Sequence, residues 1–471
     1  MKPILAIFLA LLPTLLWARC DTISLSLGEA LHIAQQHNHS LAIANLAVEG
    51  ASAQRAEIES FWFPTINLSG EYIHSLSEIA VESTLGQIEG QITDDIKLIA
   101  ATNPALGQIV SALEGSTFRL PLMPRNMAMV GLDIGWIVFS GGRRIEASRI
   151  ADALVELAQN QLATTKEAVS AGVIETYFTV ALAESVVAVR RQASNTLQRH
   201  LHQAKLLEQE GMITPTERMV AEVKVQQAAT LLSESIANLA SANNDLQLIL
   251  GYDNEQTTTP STPLFAIEKL PSDSYFQAFI QSTPSIATID NQEEILTGRL
   301  AMERSRYLPS VALLGHQQLW SSGLDKNLIP RTFVGVGLSW TLFDGLAREN
   351  SIRRTKSELR TLNTSRQLAT SKLSVAITKL HRLLASQMEQ YQSRLSAERL
   401  AERLAQSTRK AFGEGMATSM EVVDAEQLHT EAQLATLLTL YTIDTSVATL
   451  LSLCGQIEAY LTFVPTTQTT K

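Results

Sequence analysis

The sequence predicts an α+β membrane protein in which one module of strands and long helices occurs twice. Internal duplication is the first observation, because landmarks recur at one constant offset of 204 residues: Phe139 and Phe343, Gly211 and Gly415, and Gly251 and Gly455. Helical stretches of unusual length and four strand-like segments are the second and third observations. A constant offset means that both copies have kept their internal lengths, so the two halves share one architecture. The repeat is far longer than a solenoid unit of about 20–50 residues.

The N-terminus is typical of a secretory leader over residues 1–18. Lys2 precedes an apolar run at positions 4–17, and Ala18 is a suitable cleavage position. A membrane anchor is the alternative, but the run is short for a span of about 20 residues. We expect no later membrane helix, because Asp444 and several threonines interrupt the most apolar C-terminal stretch.

The duplication predicts a first repeat at 19–251, a linker or equatorial segment at 252–272, a second repeat at 273–455 and a tail at 456–471. Cys20 and Cys454 are the only cysteines, and an oxidising compartment permits a disulfide between them. An acyl anchor on Cys20 is disfavoured, because lipidation signals require a small residue where Arg19 stands. Whether the two cysteines pair stays open.

Composition and motifs argue against two broad functional classes. The net charge is −10 and no basic run is present, which argues against a nucleic-acid partner. We find no nucleophile elbow, no phosphate-binding loop and no spacing of metal ligands. The sequence therefore predicts a protein that is not an enzyme and has no catalytic residue, cofactor or bound metal.

Two segments, 144–209 and 346–412, are free of proline and almost free of glycine. Each predicts one helix of about 65 residues, on the order of 100 Å long. Four shorter helices of roughly 50 Å each are predicted to pack against them, at 27–59, 215–250, 273–307 and 419–454. Many small side chains on these helices favour close approach, as in a coiled-coil wall. A solid helical bundle with a dry core is the alternative.

Two tips connect the long helices to the helices that follow them. Gly211 and Gly415 are suited to end the incoming helices in a left-handed conformation. Thr214 and Thr418 stand at the N-cap of the next helix, each followed three residues later by glutamate, Glu217 or Glu421. This pattern predicts a capping box at both tips.

Four segments change from helical periodicity to strand-like alternation. Their apolar residues are Ile66, Leu68 and Tyr72; Val130, Leu132, Ile134, Trp136 and Val138; Val334, Val336, Leu338, Trp340 and Leu342; and a weaker set from Val311 to Trp320. Each segment has about 10–13 residues, the length of a tilted membrane strand. A soluble sandwich with one apolar face is the alternative.

Aromatic residues stand at the ends of these strands, where they suit a membrane interface: Trp62, Trp136, Phe139, Trp320, Trp340 and Phe343. Four strands cannot form a closed barrel by themselves, and lipid does not tolerate open strand edges. The strands therefore predict a barrel that is shared between chains. Three copies contributing twelve strands give the natural closure.

The first half contains an insert at about 75–127 that the second half lacks. It includes a helix-like stretch at 87–113 and a proline-rich exit at Pro121 and Pro124. We expect the insert on the exterior face of the barrel. Whether it caps the pore, binds a ligand or shields the barrel stays open.

These features together resemble the TolC-like outer-membrane efflux and secretion channels over nearly the full mature length. The resemblance rests on residues 25–46 and 61–72, both tryptophan-phenylalanine-glycine junctions and both Glu-Gly-Met tips. It implies a homotrimer in the outer membrane of a Gram-negative bacterium, with a twelve-stranded barrel continuous with a long periplasmic α-helical barrel. It also implies a passive, porin-like exit duct for tripartite efflux or type I secretion. The implied partners are outer-membrane lipid, a periplasmic adaptor (membrane fusion protein) and an inner-membrane RND or ABC transporter.

The resemblance also assigns residues at the tips. Glu421 and Asp424 match acidic positions that ring the periplasmic aperture, although a capping role explains Glu421 equally well. Gate and adaptor contacts would involve Gly211, Thr216, Glu217, Phe412 and Gly415. The family's gate uses an aromatic hydroxyl and an arginine, and Phe412 and Ala417 occupy those positions here. Because both polar groups are missing, that gating network is not expected to carry over.

A structural periplasmic coiled coil or adaptor without a pore is the alternative function. Its strands would be soluble, and the aromatic strand ends would then have no explanation. Drug efflux and protein secretion are not distinguished by the sequence, because specificity lies mostly in the pump.

Overall fold

A computed structural model describes residues 23–76, 79–84, 117–123, 125–252, 258–322 and 330–465. The chain divides into two units. The helical unit takes residues from Met1–Ser52, Ala153–Glu294 and Leu359–Lys471. The strand unit takes residues from Ala53–Asp152 and Ile295–Glu358. The predicted leader, Cys20 and its proposed pairing with Cys454 lie outside the described residues.

Helices account for most of the described residues. The α-helices are α1 Leu27–His37, α2 His39–Ser60, α3 Arg143–Gln209, α4 Pro215–Leu250, α5 Asp273–Gln277, α6 Pro284–Ser305, α7 Ala347–Gly413 and α8 Ser419–Leu453. The strands are β1 Ile23–Leu25, β2 Thr65–His74, β3 Ile79–Thr84, β4 Thr117–Met123, β5 Asn126–Phe139, β6 Thr258–Pro260, β7 Ser310–Ser322 and β8 Thr332–Ser339. Short 3₁₀ helices cover Ile280–Ser282 and Ile457–Thr462.

The duplication is visible in the backbone. Helices α3 and α7 both have 67 residues, and their first and last residues are 204 positions apart. Glycines with positive φ recur at the same offset: Gly141 and Gly345, Gly211 and Gly415, and Gly251 and Gly455. At one further pair the copies differ, because Gly142 is matched by Leu346, the non-glycine residue with positive φ (66°) among the described residues. The two long helices are thus confirmed, and the constant offset reflects conserved turns.

The helix predicted at 27–59 is two helices, α1 and α2, separated at Asn38. Asn38 has an extended backbone, with φ −66° and ψ 124°. Its side-chain oxygen accepts from the N–H groups of Ser40 and Leu41, at 2.9 and 3.2 Å, and its amide donates to the carbonyl of Ile249 at 2.7 Å. The asparagine therefore caps α2 and ties the break to the end of α4, which sequence periodicity did not indicate.

The helix predicted at 273–307 is also broken. It consists of α5, a 3₁₀ turn and α6, which begins at Pro284. Thr283 is extended, with φ −68° and ψ 142°, because the residue before a proline is excluded from the helical region. The Pro284 ring occupies the first helical position, where its missing N–H costs nothing. Our uninterrupted helix was wrong because it ignored this proline.

The core of the helical unit is aromatic. Tyr177 and Phe178 of α3 are fully buried, and the Phe178 ring lies 5.9 Å from Phe265 and 6.3 Å from Tyr460. The Tyr177 hydroxyl donates to the carbonyl of Leu25 at 2.7 Å and accepts from the N–H of Thr262 at 2.9 Å. The segments predicted as linker and tail therefore contribute to the core, and β6 of the linker pairs in parallel with β1.

Two helices, α3 and α8, are long and apolar enough to span a membrane by length and composition alone, with 18-residue windows of mean hydropathy 1.5 and 1.4. Length and composition alone do not make either helix a membrane span, so the expectation that no later segment is a membrane helix stays a prediction. The windows are 39% and 50% buried inside the protein. Their apolar residues pack in the core of the helical unit, where Ile174 and Ile443 are fully buried.

The strand unit contains a four-stranded antiparallel sheet in the order β2-β5-β7-β8. All four predicted strands are present, although β8 ends at Ser339, before Trp340 and Leu342. The predicted apolar face is exposed, with Leu68 at 68%, Val334 at 82% and Val336 at 70% of full accessibility. Among the described residues, β2 and β8 each have a strand neighbour on one side only.

The insert forms a second hairpin in its described parts. Strands β3 and β4 pair antiparallel, from Ile79 with Met123 to Thr84 with Thr117. Pro121 lies inside β4 and pairs with Ala80, so it is part of a strand and not of a loop exit. The predicted helical stretch at 87–113 and Pro124 lie outside the described residues.

We predict that Gly251→Ala destabilises the protein more than Gly211→Ala. Both glycines have φ near +76°, so alanine costs about 1 kcal/mol at either position. A Cβ on Gly251 would lie 2.3 Å from the carbonyl oxygen of His37, whereas a Cβ on Gly211 meets open space. The clash raises the expected cost at Gly251 to about 2–4 kcal/mol. Thermal unfolding of both variants in detergent measures the difference, and equal melting temperatures would contradict the close approach.

A second prediction concerns Asp444, which is fully buried on α8 and accepts from the N–H of Phe265 at 3.2 Å. Burial raises its pKa to about 8, so its contribution to stability is present below the unfolded pKa and is lost as the pH rises through 8. We expect wild-type stability to fall by roughly 2–3 kcal/mol between pH 6 and pH 9 relative to Asp444→Asn, at about 1.4 kcal/mol per pH unit. Asp245→Asn, on the exposed side of α4, is the control. Parallel pH profiles for wild type and Asp444→Asn would refute the assignment.

Candidate functional site

The two tips of the helical unit have the same backbone geometry. Gly211 and Gly415 are left-handed, with φ of 77° and 73°. After each glycine, the N–H of a methionine donates back to the preceding helix at 2.8 Å, Met212 to Leu207 and Met416 to Ala411. These bonds satisfy helix carbonyls that would otherwise lack a partner. The turn is therefore set by glycine at the same position in both copies.

The capping of the outgoing helices differs between the tips. At the second tip the box is complete, because Thr418 N–H donates to Glu421 Oε2 at 2.7 Å and Glu421 N–H donates to Thr418 Oγ1 at 3.3 Å. At the first tip, Thr214 Oγ1 accepts from Glu217 N–H at 3.3 Å, but the reciprocal contact of the Glu217 carboxylate does not form. The prediction of two boxes is thus right for the second tip and half right for the first.

Glu421 and Asp424 lie on one face of α8, three residues apart, and both are exposed. They line a groove with Ala417 and with residues of α7, among them Leu404 and Thr408. Glu421 therefore caps its helix and still presents a carboxylate to solvent, while Asp424 has no part in the cap. The role of both carboxylates at an aperture stays a prediction.

Phe412 is buried to 1% exposure, while Gly211, Thr216 and Gly415 are exposed. The Phe412 ring packs with Ala204, Ala221 and Val422. A buried phenylalanine connects the two helical hairpins and is not available to a partner. The adaptor contact therefore stays a prediction only for the exposed tip residues and the half-buried Glu217.

His200 and Ser419 form a second connection between the hairpins that the sequence did not reveal. The His200 ring lies 4.6 Å from that of Phe412, and its Nε2 is 2.8 Å from Ser419 Oγ, which is fully buried. Burial lowers the pKa of His200 to about 4, so the imidazole is neutral at pH 7. A neutral ring suits an apolar contact with Phe412.

Glu426 and Arg409 form a third contact at the tips, between α8 and α7. Arg409 Nε lies 2.8 Å from Glu426 Oε1, and the glutamate is almost fully buried. Burial raises the pKa of Glu426, and the nearby charges of Arg409, His429 and Arg199 oppose that rise. The sequence offered one signal for this contact, a glutamate within an apolar helix. Its partner, Arg409, lies 17 residues earlier, on the other side of the tip.

The second place of interest is the polar face of the sheet in the strand unit. Asn67, Asp133, His316 and Phe333 are in register across its four strands. Asp133 accepts from Ser69 Oγ at 2.6 Å and lies 2.7 Å from His316 Nδ1, and the imidazole stacks on Phe333 at 5.3 Å. A Cβ on Gly131 would come within 2.6 Å of His316, so only glycine leaves room for the ring.

The six predicted interface aromatics are all exposed, from 38% for Trp136 to 75% for Phe343. Trp320 lies near the end of β7 that is remote from the helices, and the other five lie near the helix-proximal strand ends. Trp136 and Trp340 donate through Nε1 to the carbonyls of Trp62 and Tyr307, both at 3.0 Å. An apolar ring with one satisfied polar group suits a membrane interface.

Two arginines at equivalent positions brace the connections between strands and long helices. Arg144 donates to the carbonyls of Phe61 and Val138 at 2.9 and 2.8 Å, with its guanidinium 4.5 Å from the Trp62 ring. Arg348 donates to the carbonyls of Arg306, Thr341 and Leu342 and lies 4.5 Å from the Tyr307 ring. Sequence analysis missed both, although their shared offset of 204 marks them.

Comparison with known proteins gives a family and several structural neighbours. The sequence profile described as "Outer membrane efflux protein" matches residues 30–252 and 277–456. The cobalt-zinc-cadmium resistance protein CzcC of Cupriavidus metallidurans is 26% identical over 205 residues. That alignment covers 43% of this chain and 48% of the relative, so it spans about half of the relative's length.

Solved structures of outer-membrane channels share the fold over most of its length. Crystal structures of CusC superpose with a TM-score of 0.71 at 14% identity and cover 92% of both chains. The Campylobacter jejuni CmeC outer membrane channel superposes with a TM-score of 0.72 at 15% identity, covering 92% of this chain and 86% of CmeC. CusC forms a transmembrane channel, and CmeC is an outer membrane channel.

The family profile covers both copies of the duplicated module. It includes both tips and the four-stranded sheet with its exposed apolar face. The two structural neighbours share the fold over 92% of this chain. The chain therefore belongs to the outer membrane efflux protein family, and it is an outer-membrane protein that extends into the periplasm.

Proposed function

We propose that this protein is the outer-membrane exit duct of a tripartite efflux or type I secretion system. The observation that carries the proposal is the four-stranded sheet, which exposes one apolar face and has two edges without a strand neighbour in the part of the chain that the structure describes. A sheet with open edges is unstable in lipid, because unpaired backbone groups have no water to bond. Pairing β2 of one copy with β8 of the next, in a homotrimer, closes a barrel of twelve strands.

The dimensions of the sheet support a membrane location. Trp136 is in register with Leu313, which is seven residues from Trp320 on β7. Seven residues span about 23 Å at roughly 3.3 Å per residue. That separation is close to the apolar band of about 25 Å found in outer-membrane barrels. In such a barrel the apolar face contacts lipid, and the face with Asp133 and His316 lines the lumen.

The helices support passive conduction with energy supplied elsewhere. Helices α3 and α7 have 67 residues each, which corresponds to about 100 Å. Helices of this length suit a conduit through the periplasm, and we assign the energy to an inner-membrane RND or ABC transporter coupled through a periplasmic adaptor. The exposed tip residues are the proposed site of adaptor contact. A poreless periplasmic coiled coil is not favoured, because it would leave the apolar sheet face exposed to water.

The type of inner-membrane pump indicates which class of substrate passes through the duct. CzcC is named for cobalt, zinc and cadmium resistance, which favours a proton-driven pump with small cargo over a secretion transporter. In-cell cross-linking, affinity purification and mass spectrometry identify the pump. Recovery of an adaptor with an RND transporter supports small-molecule efflux, and recovery with an ABC transporter supports secretion. Recovery of neither would refute the tripartite role.

The pore itself is tested by oligomeric state and conductance. We expect the purified chain to require detergent, to have the mass of a trimer and to give single-channel currents in planar bilayers. A water-soluble monomer without conductance would refute the duct and support the structural alternative.

We predict that Asp424→Asn lowers cation selectivity. In a trimer, Glu421 and Asp424 would place six carboxylates at one aperture, and such rings favour cations. The reversal potential under a salt gradient measures the permeability ratio of cations to anions, which we expect to fall several-fold. Glu421→Gln should act in the same direction and keep the cap of α8, because a glutamine side-chain oxygen also accepts from the Thr418 N–H. Asp245→Asn is the matched control, and an equal change there would contradict the assignment to the tip.

A further inference from the structure

The polar face of the sheet becomes apolar at its helix-proximal end. Further along the same face lie Asn67, Ser69, Asp133 and His316. Near the helices, the residues on this face are instead Ile137, paired with Ala312, and Leu314, paired with Gly135 and Gly335. Ile137 is 52% exposed and Leu314 is 47% exposed. Apolar side chains facing away from the lipid side of a membrane sheet have no role in membrane contact.

These residues form one wall of an open cavity of about 600 Å³, which lies entirely in the strand unit. Gly135 pairs with Thr65 on one side and with Leu314 on the other. Because glycine has no side chain, it does not fill the floor of the cavity. Phe63 and Met302 add apolar surface from the adjoining segments. The volume is in the range of about 300–1,000 Å³ that small-molecule sites occupy.

The mouth of the cavity carries two positive charges. Arg144 is held by the carbonyls of Phe61 and Val138 and by the Trp62 ring. The neighbouring Arg143 is exposed, and within the described part of the chain its side chain has no hydrogen-bond or ion-pair partner. None of the described residues that line the cavity is a carboxylate, although the whole chain has a net charge of −10. The cavity thus combines apolar walls with an uncompensated guanidinium.

From this arrangement we infer that the cavity binds an amphipathic organic anion in transit through the duct, with the apolar body against Ile137 and Leu314 and the anionic group on Arg143. A guanidinium with free donors pairs with carboxylate or sulfonate groups. The inference rests on the proposed function, because the duct places this face toward the lumen. A molecule in the lumen is favoured over a membrane lipid, because Ile137, Ala312 and Leu314 lie on the same face as Asp133 and His316, although Trp136 of the opposite face also lines the cavity.

Binding of taurocholate to the full-length oligomer in phosphatidylcholine nanodiscs tests the inference. CHAPS is the matched probe, because it has the same steroid body without a net negative charge. We expect saturable taurocholate binding, weakened about tenfold in Arg143→Gln, and CHAPS binding that is weaker and insensitive to that change. Arg354→Gln removes an exposed charge elsewhere in the strand unit and should leave both affinities unchanged.

Equal taurocholate affinity in wild type and Arg143→Gln would overturn the inference, as would displacement of taurocholate by phosphatidylglycerol added to the nanodisc. Ala312→Phe fills the cavity and keeps both arginines, so it should weaken the binding of both taurocholate and CHAPS. This variant provides the test if Arg143→Gln does not assemble. Single-channel conductance of the same preparation separates the two proposals. A conducting trimer without saturable binding refutes the cavity alone, and a preparation without conductance refutes the duct.

Discussion

Backbone hydrogen bonding at the edges of a four-stranded sheet is the constraint on which the rest of this structure depends. The sheet exposes Leu68, Val334 and Val336 on one face, so this face requires lipid. In lipid, the edge strands β2 and β8 need hydrogen-bonding partners, and the described part of one chain offers none in its strand order β2-β5-β7-β8. Under the proposed trimeric duct, assembly is therefore part of folding for the strand unit, as it is for obligate oligomers whose monomers are not stable.

Both copies of the duplicated module brace the connection between strand and long helix in the same way. Arg144 and Arg348 bind the backbone carbonyls where the strands give way to the long helices. Most of the backbone at these connections is in neither a strand nor a helix, so its carbonyls lack the regular hydrogen bonds of either. A guanidinium that donates to two or three of these carbonyls fixes the direction of the chain there. The copies have diverged where the geometry tolerates it, since Leu346 adopts the left-handed conformation that Gly142 adopts in the first copy.

In the helical unit, buried polar groups select one arrangement of the helices where apolar packing alone would allow several. The Tyr177 hydroxyl hydrogen-bonds α3 to β1 and to the segment after β6. Asp444 accepts a hydrogen bond from the N–H of Phe265. At the tips, His200 with Ser419 and Arg409 with Glu426 fix the pairing of helices around Phe412. Each buried partner lost would leave an unsatisfied group, so these contacts specify register. Of the two exposed carboxylates at the second tip, Glu421 caps α8, and Asp424 takes no part in the cap.

The sequence by itself determined the duplication, the two 67-residue helices, the four strands and the positions of the glycine turns. These features are local, because periodicity, Gly211, Gly415 and the capping threonines act within a few residues of themselves. Tertiary structure decided the break at Asn38, the half-formed cap at Glu217, the burial of Phe412 and the pairing of Glu426 with Arg409. It also formed the cavity beside Arg143, whose walls come from strands that are distant in sequence. Contacts of this kind depend on which segments meet in space, so a single sequence can mark one partner, such as Glu426 within an apolar helix, but not the residue that it meets.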